Sequence, residues 1–355
     1  MNSSKYFAVF CVEAIYYLPH FLPVADEMKR RGLPHAWLFY KGANEMAPAV
    51  TEKLGLQRIK GTPDSAGAGA IFFIFGNSYD KLPAVPGVTV LVYHGIGTKA
   101  CYYDNDLNQF DIRFVEGEYR RSELDSRSPY KEQERPIVGF SKLDPAVHFG
   151  FADRKASLLR LGLDPSRKTV LYAPTYYPSS IELMDRHFPD DCAALNLIIK
   201  PHQFTYAGSK YKKQRQVLEA WKNRGNVYIA GPEDFNILPF FAISDVMISD
   251  ESSAIFEFAA LGRPVIRNRF VSLRFSYRIF PWKIRKRMDA DIERYSSIAQ
   301  DAHNYKETLD LLRNALTNQS ADHTKKREYC RDLLGEMDGK ASERIVDYLS
   351  EYARR

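Results

Sequence analysis

The stretch Val246-Met247-Ile248-Ser249-Asp250-Glu251-Ser252-Ser253-Ala254-Ile255-Phe256-Glu257-Phe258-Ala259-Ala260-Leu261-Gly262-Arg263-Pro264-Val265-Ile266 contains a complete strand–helix–strand passage. Val246–Ile248 is an apolar run of the kind that forms a parallel strand buried on both faces. An apolar helix follows, stops at Gly262, and a new strand opens at Val265. Ser252 and Ser253 therefore fall at a helix N-terminus just past the carboxyl end of a strand. Unpaired backbone N–H groups and the helix dipole favour an anion there. Glu257 comes one helical turn later, on the face of Ser253, where a carboxylate can hold ribose hydroxyls. A serine N-cap on a core helix is the plainer reading. Asp250, both serines, Glu257 and the Gly-Arg-Pro exit together point instead to a seat for a nucleotide diphosphate.

Similar passages recur on both sides. Towards the N-terminus, strands are expected at Phe7–Val12, Ala36–Phe39, Ala70–Phe75, Val88–Tyr93, Ile112–Val115 and Ile137–Gly139. Helices are expected at Pro19–Arg31 and Glu118–Leu124. This alternation implies a parallel sheet covered on both faces. A second series starts with a helix at Arg154–Leu161 and strands at Thr169–Tyr172, Leu197–Ile199 and Val227–Ile229, with helices near Lys210–Lys222 and Phe235–Phe241. The fold class is therefore α/β, with two doubly wound Rossmann-like domains facing a cleft. The expected division is 1–150 for an acceptor-side domain and 151–324 for a nucleotide-donor domain, with one or two packing helices at 325–355.

At 355 residues the chain exceeds one ordinary core, and its 45% hydrophobic content is ample for two. No apolar tract is long enough to span a bilayer. The N-terminus runs straight into a strand and lacks the pattern of a signal peptide. Cys11, Cys101, Cys192 and Cys330 are far apart with no metal-ligand spacing, so reduced, structural thiols in a cytoplasmic protein are expected.

The net charge of +6 is unevenly spread. Arg267–Met288 contains eight basic residues and no acidic one, interleaved with large apolar side chains such as Phe280 and Trp282. Arg278, Trp282, Lys283, Arg285, Lys286 and Arg287 suit an anionic membrane surface or a polyanion. The bland alternative is a solvated loop over a few buried aromatics. No nucleic-acid module accompanies the stretch, so nucleic acid is not an expected partner.

In open α/β sheets, ligands sit beyond the carboxyl ends of the strands. Three further strand ends carry suitable groups. His94-Gly95-Ile96-Gly97-Thr98-Lys99 follows Val88–Tyr93 and offers an imidazole as general base, with Thr98 and Lys99 for phosphate. Lys200-Pro201-His202-Gln203 follows Leu197–Ile199, and Ala173-Pro174-Thr175 follows Thr169–Tyr172. The chain lacks a Gly-x-x-x-x-Gly-Lys-Ser/Thr loop, a Gly-x-Ser-x-Gly elbow, a Gly-x-Gly-x-x-Gly after the first strand, and zinc-type His/Cys spacing. Kinase, α/β-hydrolase and nicotinamide chemistry are therefore not expected. Transfer from a nucleotide-activated donor is.

At these residues the sequence resembles the CDP-glycerol glycerophosphotransferase family of teichoic-acid primases and polymerases, whose fold is of the glycosyltransferase-B (GT-B) type. The resemblance is carried by His94 through Lys99, Gly139-Phe140-Ser141-Lys142-Leu143-Asp144, Leu171-Tyr172-Ala173-Pro174-Thr175, Lys200-Pro201-His202-Gln203 and Ser249 through Pro264. It implies that His94 deprotonates an acceptor hydroxyl, which attacks the β-phosphate of CDP-glycerol and releases CMP. His202 is implied as its catalytic partner, and Thr98, Lys99, Thr175, Lys200, Asp250, Ser252, Ser253 and Glu257 as contacts for the donor. The implied acceptor is a surface glycan or lipid-linked molecule at the inner face of the membrane, and no metal or other cofactor is implied.

Departures from the family pattern are Lys200 for arginine, Gln203 for proline, Ile96-Gly97 in the loop after His94, and Glu257 for aspartate. The length suits a single-addition transferase or a divergent capsule enzyme. A nucleotide-sugar glycosyltransferase of the same architecture is the principal alternative, followed by a nucleotide-sugar 2-epimerase and a non-catalytic scaffold.

Overall fold

The computed structural model describes residues 5–64, 69–77, 82–96, 103, 109–127, 133–149, 151–206, 210–272, 295, 297–317 and 323–355. The chain forms two compact units, Met1–His148 with Arg331–Arg355, and Phe149–Cys330.

The first unit opens with β1 (Tyr6–Val12), α1 (Leu18–Arg30), β2 (His35–Phe39), α2 (Ala47–Leu54) and β3 (Arg58–Ile59). It continues with β4 (Ala70–Phe75), β5 (Val88–Val92), β6 (Ile112–Phe114) and α3 (Glu118–Arg127). The strands are all parallel, in the order β3-β2-β1-β4-β5-β6. Apolar side chains on both faces of β1 and β4 explain why these two strands lie at the centre of the sheet. Phe10 of β1 pairs in register with Trp37 of β2, and their rings stack at 4.6 Å. Helix α1 buries Leu18, Phe21, Val24 and Met28, and its end is closed by Gly32 at φ +69°.

Two expectations from sequence differ here. Helix α2 and strand β3 were not anticipated: the helix buries only Ala47 and Val50, and the strand is a half-buried edge of two residues. Ile137–Gly139 forms no strand of its own. The longer run from Glu134 to Gly139 lies beside β6 through isolated bridges, Ile112 with Glu134 and Val115 with Ile137. Pro136 lies within this run and has no N–H to continue a ladder.

The second unit comprises α4 (Phe151–Arg160), β7 (Thr169–Ala173), α5 (Phe188–Asp191), β8 (Asn196–Ile199), α6 (Lys212–Trp221), β9 (Val227–Ile229) and α7 (Leu238–Ile243). Then come β10 (Val246–Ser249), α8 (Ala254–Ala260), β11 (Val265–Asn268), β12 (Gln300–Ala302), α9 (Tyr305–Thr317) and α10 (His323–Leu334), whose residues from Arg331 onward belong to the first unit. Its parallel sheet has the order β12-β11-β10-β7-β8-β9. Counted from each unit's own first strand, both sheets have one topology. The strand order reverses between β1 and β4, and again between β7 and β10, and ligands favour such reversal points.

The last helix, α11 (Ala341–Tyr352), belongs to the first unit. It buries Ile345, Val346 and Leu349, and Arg31 meets Asp347 at 2.5 Å. Asp144 accepts from the backbone N–H groups of Ala341 (3.1 Å) and Ser342 (2.7 Å), capping α11 across the fold. Gly139, at φ +90°, packs against Ala341. The Gly139–Asp144 element thus seats the C-terminal helix. Cys11 and Cys192 are buried thiols, and burial pushes that of Cys192 up to about 12. Among the described residues, no helix is long and apolar enough to cross a membrane.

Candidate active site

In the second unit the reversal point is organised by Asp250, the first residue after β10. It is fully buried, and its Oδ2 accepts from the Thr175 N–H (2.9 Å) and the Ser179 hydroxyl (3.0 Å). Its Oδ1 accepts from the Ser180 N–H (3.1 Å) and hydroxyl. Burial nonetheless wins over these donors and raises the carboxyl to about 6. Asp250, expected among the donor contacts, is turned inward and ties the β7 exit to the β10 exit. Thr175 is likewise engaged, its hydroxyl donating to the Pro178 carbonyl. Ser180 extends the network through Asn268 (3.1 Å) to Thr308 of α9.

Ser252 and Ser253 stand where the strand–helix–strand reading places them, half-buried at the start of α8. The Ser252 hydroxyl accepts from the Ala254 N–H at 3.3 Å, while Ser253 makes no side-chain cap. Glu257, by contrast, is buried at 1% exposure. Helix α8 is buried all round from Ala254 to Ala259, and Glu257 is buried with it between Phe256 and Phe258.

Lys200 and His202 follow β8. Lys200 is half-buried, with Nζ 3.2 Å from the Pro201 carbonyl. His202 caps the short helix Gln203–Thr205: its Nδ1 accepts from the Phe204 N–H at 3.2 Å. An accepting Nδ1 bears no proton, so the neutral ring carries its N–H at Nε2. The ring packs against Tyr176 (4.7 Å) and Phe204 (4.9 Å). His202 is thereby set up as a hydrogen-bond donor.

In the first unit, His94 comes off β5 beside the end of β4. Its Nδ1 is 2.5 Å from the Gly76 carbonyl, and its backbone N–H donates to the same oxygen at 3.2 Å. A carbonyl only accepts, so Nδ1 carries the proton and Nε2 is the basic nitrogen. The rings of Tyr17 (4.9 Å) and Tyr16 (5.2 Å), from the turn after β1, pack on the imidazole. The two histidines therefore have opposite tautomers, imposed by their backbones. One suits a base and the other a donor.

Thr98, Lys99, Arg278, Trp282, Lys283, Arg285, Lys286 and Arg287 lie outside the described residues. Among the described residues, no group of three or more His, Cys, Asp or Glu side chains is placed to hold a metal. Sequence reading missed Gly76, Tyr16, Tyr17, Ser179 and Ser180. Gly76 alone left a signal, as a glycine directly after the apolar run Ala70–Phe75.

The architecture is shared with known enzymes. A wall teichoic acid polymerase, TagF, superposes with a TM-score of 0.68 at 15% identity, covering 99% of this chain and 90% of that one. A histidine-to-asparagine TagF variant soaked with CDPG gives 0.69 at 15% identity, with the same coverage. The S. aureus MnaA–UDP complex gives 0.62 at 13% identity, covering 99% and 97% of the respective chains. At such identities the likeness concerns the fold, which is the GT-B type. No curated protein matches the sequence significantly. A sequence profile of the CDP-glycerol:poly(glycerophosphate) glycerophosphotransferases, however, matches residues 87–351. That span contains His94, Lys200, His202 and the whole Asp250–Glu257 turn, and the chain belongs to this family of glycerophosphate-transferring enzymes.

Proposed function

We propose that the enzyme transfers glycerophosphate from CDP-glycerol to a hydroxyl group of a surface-glycan or lipid-linked acceptor. The observation that carries the residue assignment is the opposed hydrogen bonding of His94 and His202. Nε2 of His94 takes the acceptor's proton as its oxygen attacks the β-phosphorus. The bond from that phosphorus to the bridging oxygen breaks, and CMP leaves with the bridging oxygen. The Nε2–H of His202 and the ammonium of Lys200 offset charge growing on the phosphates. Lysine supplies a point charge here rather than the bidentate fork of an arginine.

Ser252 and Ser253 provide hydroxyls at the β10 exit for the diphosphate. Asp250 and Thr175 serve the donor indirectly in this reading, by fixing the loops that carry its contacts. Glu257, buried as it is, belongs with them. Thr98 and Lys99 remain assigned to phosphate on sequence grounds. The basic and aromatic residues between Arg278 and Arg287 are assigned to an anionic membrane surface at the cytoplasmic face, where a lipid-linked acceptor would be met.

The direct test supplies purified enzyme with CDP-glycerol and either a lipid-linked glycan or a glycerol-phosphate primer. CMP release coupled to a new phosphodiester on the acceptor is the expected result. CMP release with water as the only acceptor under every condition would refute acceptor transfer. Formation of a glycosidic bond from a nucleotide sugar, with no reaction of CDP-glycerol, would refute the donor.

A further inference from the structure

His94 is gripped from a second side, and that grip is built at a cost. Arg120, in the first turn of α3, is 1% exposed, and Glu116, just after β6, is 3% exposed. Arg120 donates from Nε to Glu116 Oε2 at 2.5 Å and from Nη2 to Oε1 at 2.7 Å. The same Nη2 donates to the carbonyl of Gly95 at 2.6 Å, and the guanidinium carbon stands 3.6 Å from the centroid of the Tyr93 ring. One side chain thus holds the residue before His94 by a cation–π stack and the residue after it by a hydrogen bond. A second buried cation, Arg113, approaches the same ring at 5.9 Å, yet Glu116 commits both its oxygens to Arg120.

A buried ion pair gains little stability over apolar side chains of the same size, because both charges must be desolvated. What this pair supplies is direction. Lysine in place of Arg120 could not span Glu116 and Gly95 together, since it lacks the planar fork. We propose that Glu116 and Arg120 are positioning residues that fix the Tyr93–His94–Gly95 turn, so that Nδ1 of His94 stays on the Gly76 carbonyl and Nε2 stays aimed at the acceptor hydroxyl. The catalytic part of this inference rests on His94 being the base.

Two variants test it: Arg120→Lys, which keeps a charge for Glu116, and the double variant Glu116→Gln/Arg120→Met, which removes both charges of the pair together. For each, kcat, KM and the calorimetric Kd for CDP-glycerol are measured on folded protein. ¹⁵N spectra of the histidine rings are recorded as well, with the His94 signals identified by their loss in His94→Ala. Both variants are expected to lower kcat by ~10–100-fold, the size of effect that misplacing a catalytic group produces. Donor Kd should stay within about twofold, as expected if only turnover geometry is lost. The His94 nitrogens should shift from a protonated-Nδ1 pattern towards a tautomer mixture.

On a His94→Ala background the same changes should cost nothing further, because their effect passes through the imidazole. Wild-type kcat in both variants, or an equal loss with and without His94, overturns the proposal. Should His94→Ala itself retain full activity, the base assignment falls instead. The ¹⁵N spectra then still decide, separately, whether Arg120 holds the ring.

Discussion

Nδ1 of His94 lies 2.5 Å from the carbonyl oxygen of Gly76, across two adjacent strand ends of one sheet. The contact fixes which nitrogen of the imidazole is basic before any substrate arrives. Side-chain packing explains why position 76 is glycine: a Cβ there would lie 2.7 Å from Cγ of Tyr17, whose ring itself packs against His94. Base, carbonyl and aromatic support form one packed group from the exits of β1, β4 and β5.

Replacing His94 by alanine is expected to reduce kcat by ~10²–10⁴-fold, the usual contribution of a positioned base. CDP-glycerol binding, measured by calorimetry, should be within about twofold of wild type, because the donor contacts are assigned to other residues, Lys200, His202, Ser252 and Ser253 among them. Unchanged turnover would remove His94 from the mechanism.

Ser252→Ala combined with Ser253→Ala should raise the Kd for CDP-glycerol by at least about 10-fold, as loss of one or two hydrogen bonds to a charged group predicts. Thermal stability should barely move, since among the described residues the side-chain hydrogen bond lost is a long one, the 3.3 Å contact from Ala254 N–H to Ser252. Lys200→Ala should weaken donor binding similarly, and adding salt should narrow its gap from wild type as the missing charge becomes screened. A double-serine variant with wild-type affinity would place the diphosphate elsewhere.

Asp250 ties stability to pH. Its carboxyl is raised from 3.8 to about 6 in the fold by burial, so the folded chain holds this proton more tightly than the unfolded one. The stabilisation from that proton is fully present below the unfolded value and is lost as the pH rises through about 6. Asp250→Asn does not titrate. Its destabilisation, measured by denaturant unfolding, should therefore be larger at pH 5 than at pH 7.5 by about 1 kcal/mol. A pH-independent difference would mean that the carboxyl titrates well outside this window.

Asp144→Ala should lower unfolding stability by about 1–2 kcal/mol through loss of the cap on α11. Donor affinity should be unchanged. A loss of turnover without loss of stability would instead assign Asp144 a part in the chemistry.

Much of the strand framework was legible because a parallel strand buried on both faces reads as an uninterrupted apolar run, as in Ala70–Phe75 or Val246–Ile248. Sequence patterning was weakest where burial is shallow. The two-residue β3, the short α2 and strand β12, with Gln300 exposed, leave little apolar signal. Ile137–Gly139 misled in the opposite sense, since its apolar residues are buried beside β6 but Pro136 breaks the ladder.

The candidate site divided in the same way. Ser252, Ser253, Lys200, His202 and His94 were found because strand exits are readable and these residues stand directly on them. Asp250 and Glu257 were found for the same reason, but their side chains turn inward. Position along a strand–helix turn does not say whether a carboxylate meets solvent or a ring of buried donors.

The sequence by itself determined two parallel α/β units, the strand ends that carry chemistry, and, through an ordered set of short motifs, the family. Periodicity and the punctuation of glycine and proline are local properties, so they survive being read one residue at a time. Only the tertiary structure decided which nitrogen of each histidine is basic, that Asp250 is a buried hub of hydrogen bonds between two strand exits, and that Gly76, Glu116 and Arg120 gather around His94. Those facts depend on backbone carbonyls and side chains brought together from separate strands. A hydrogen bond between positions 76 and 94 leaves no pattern in either residue alone.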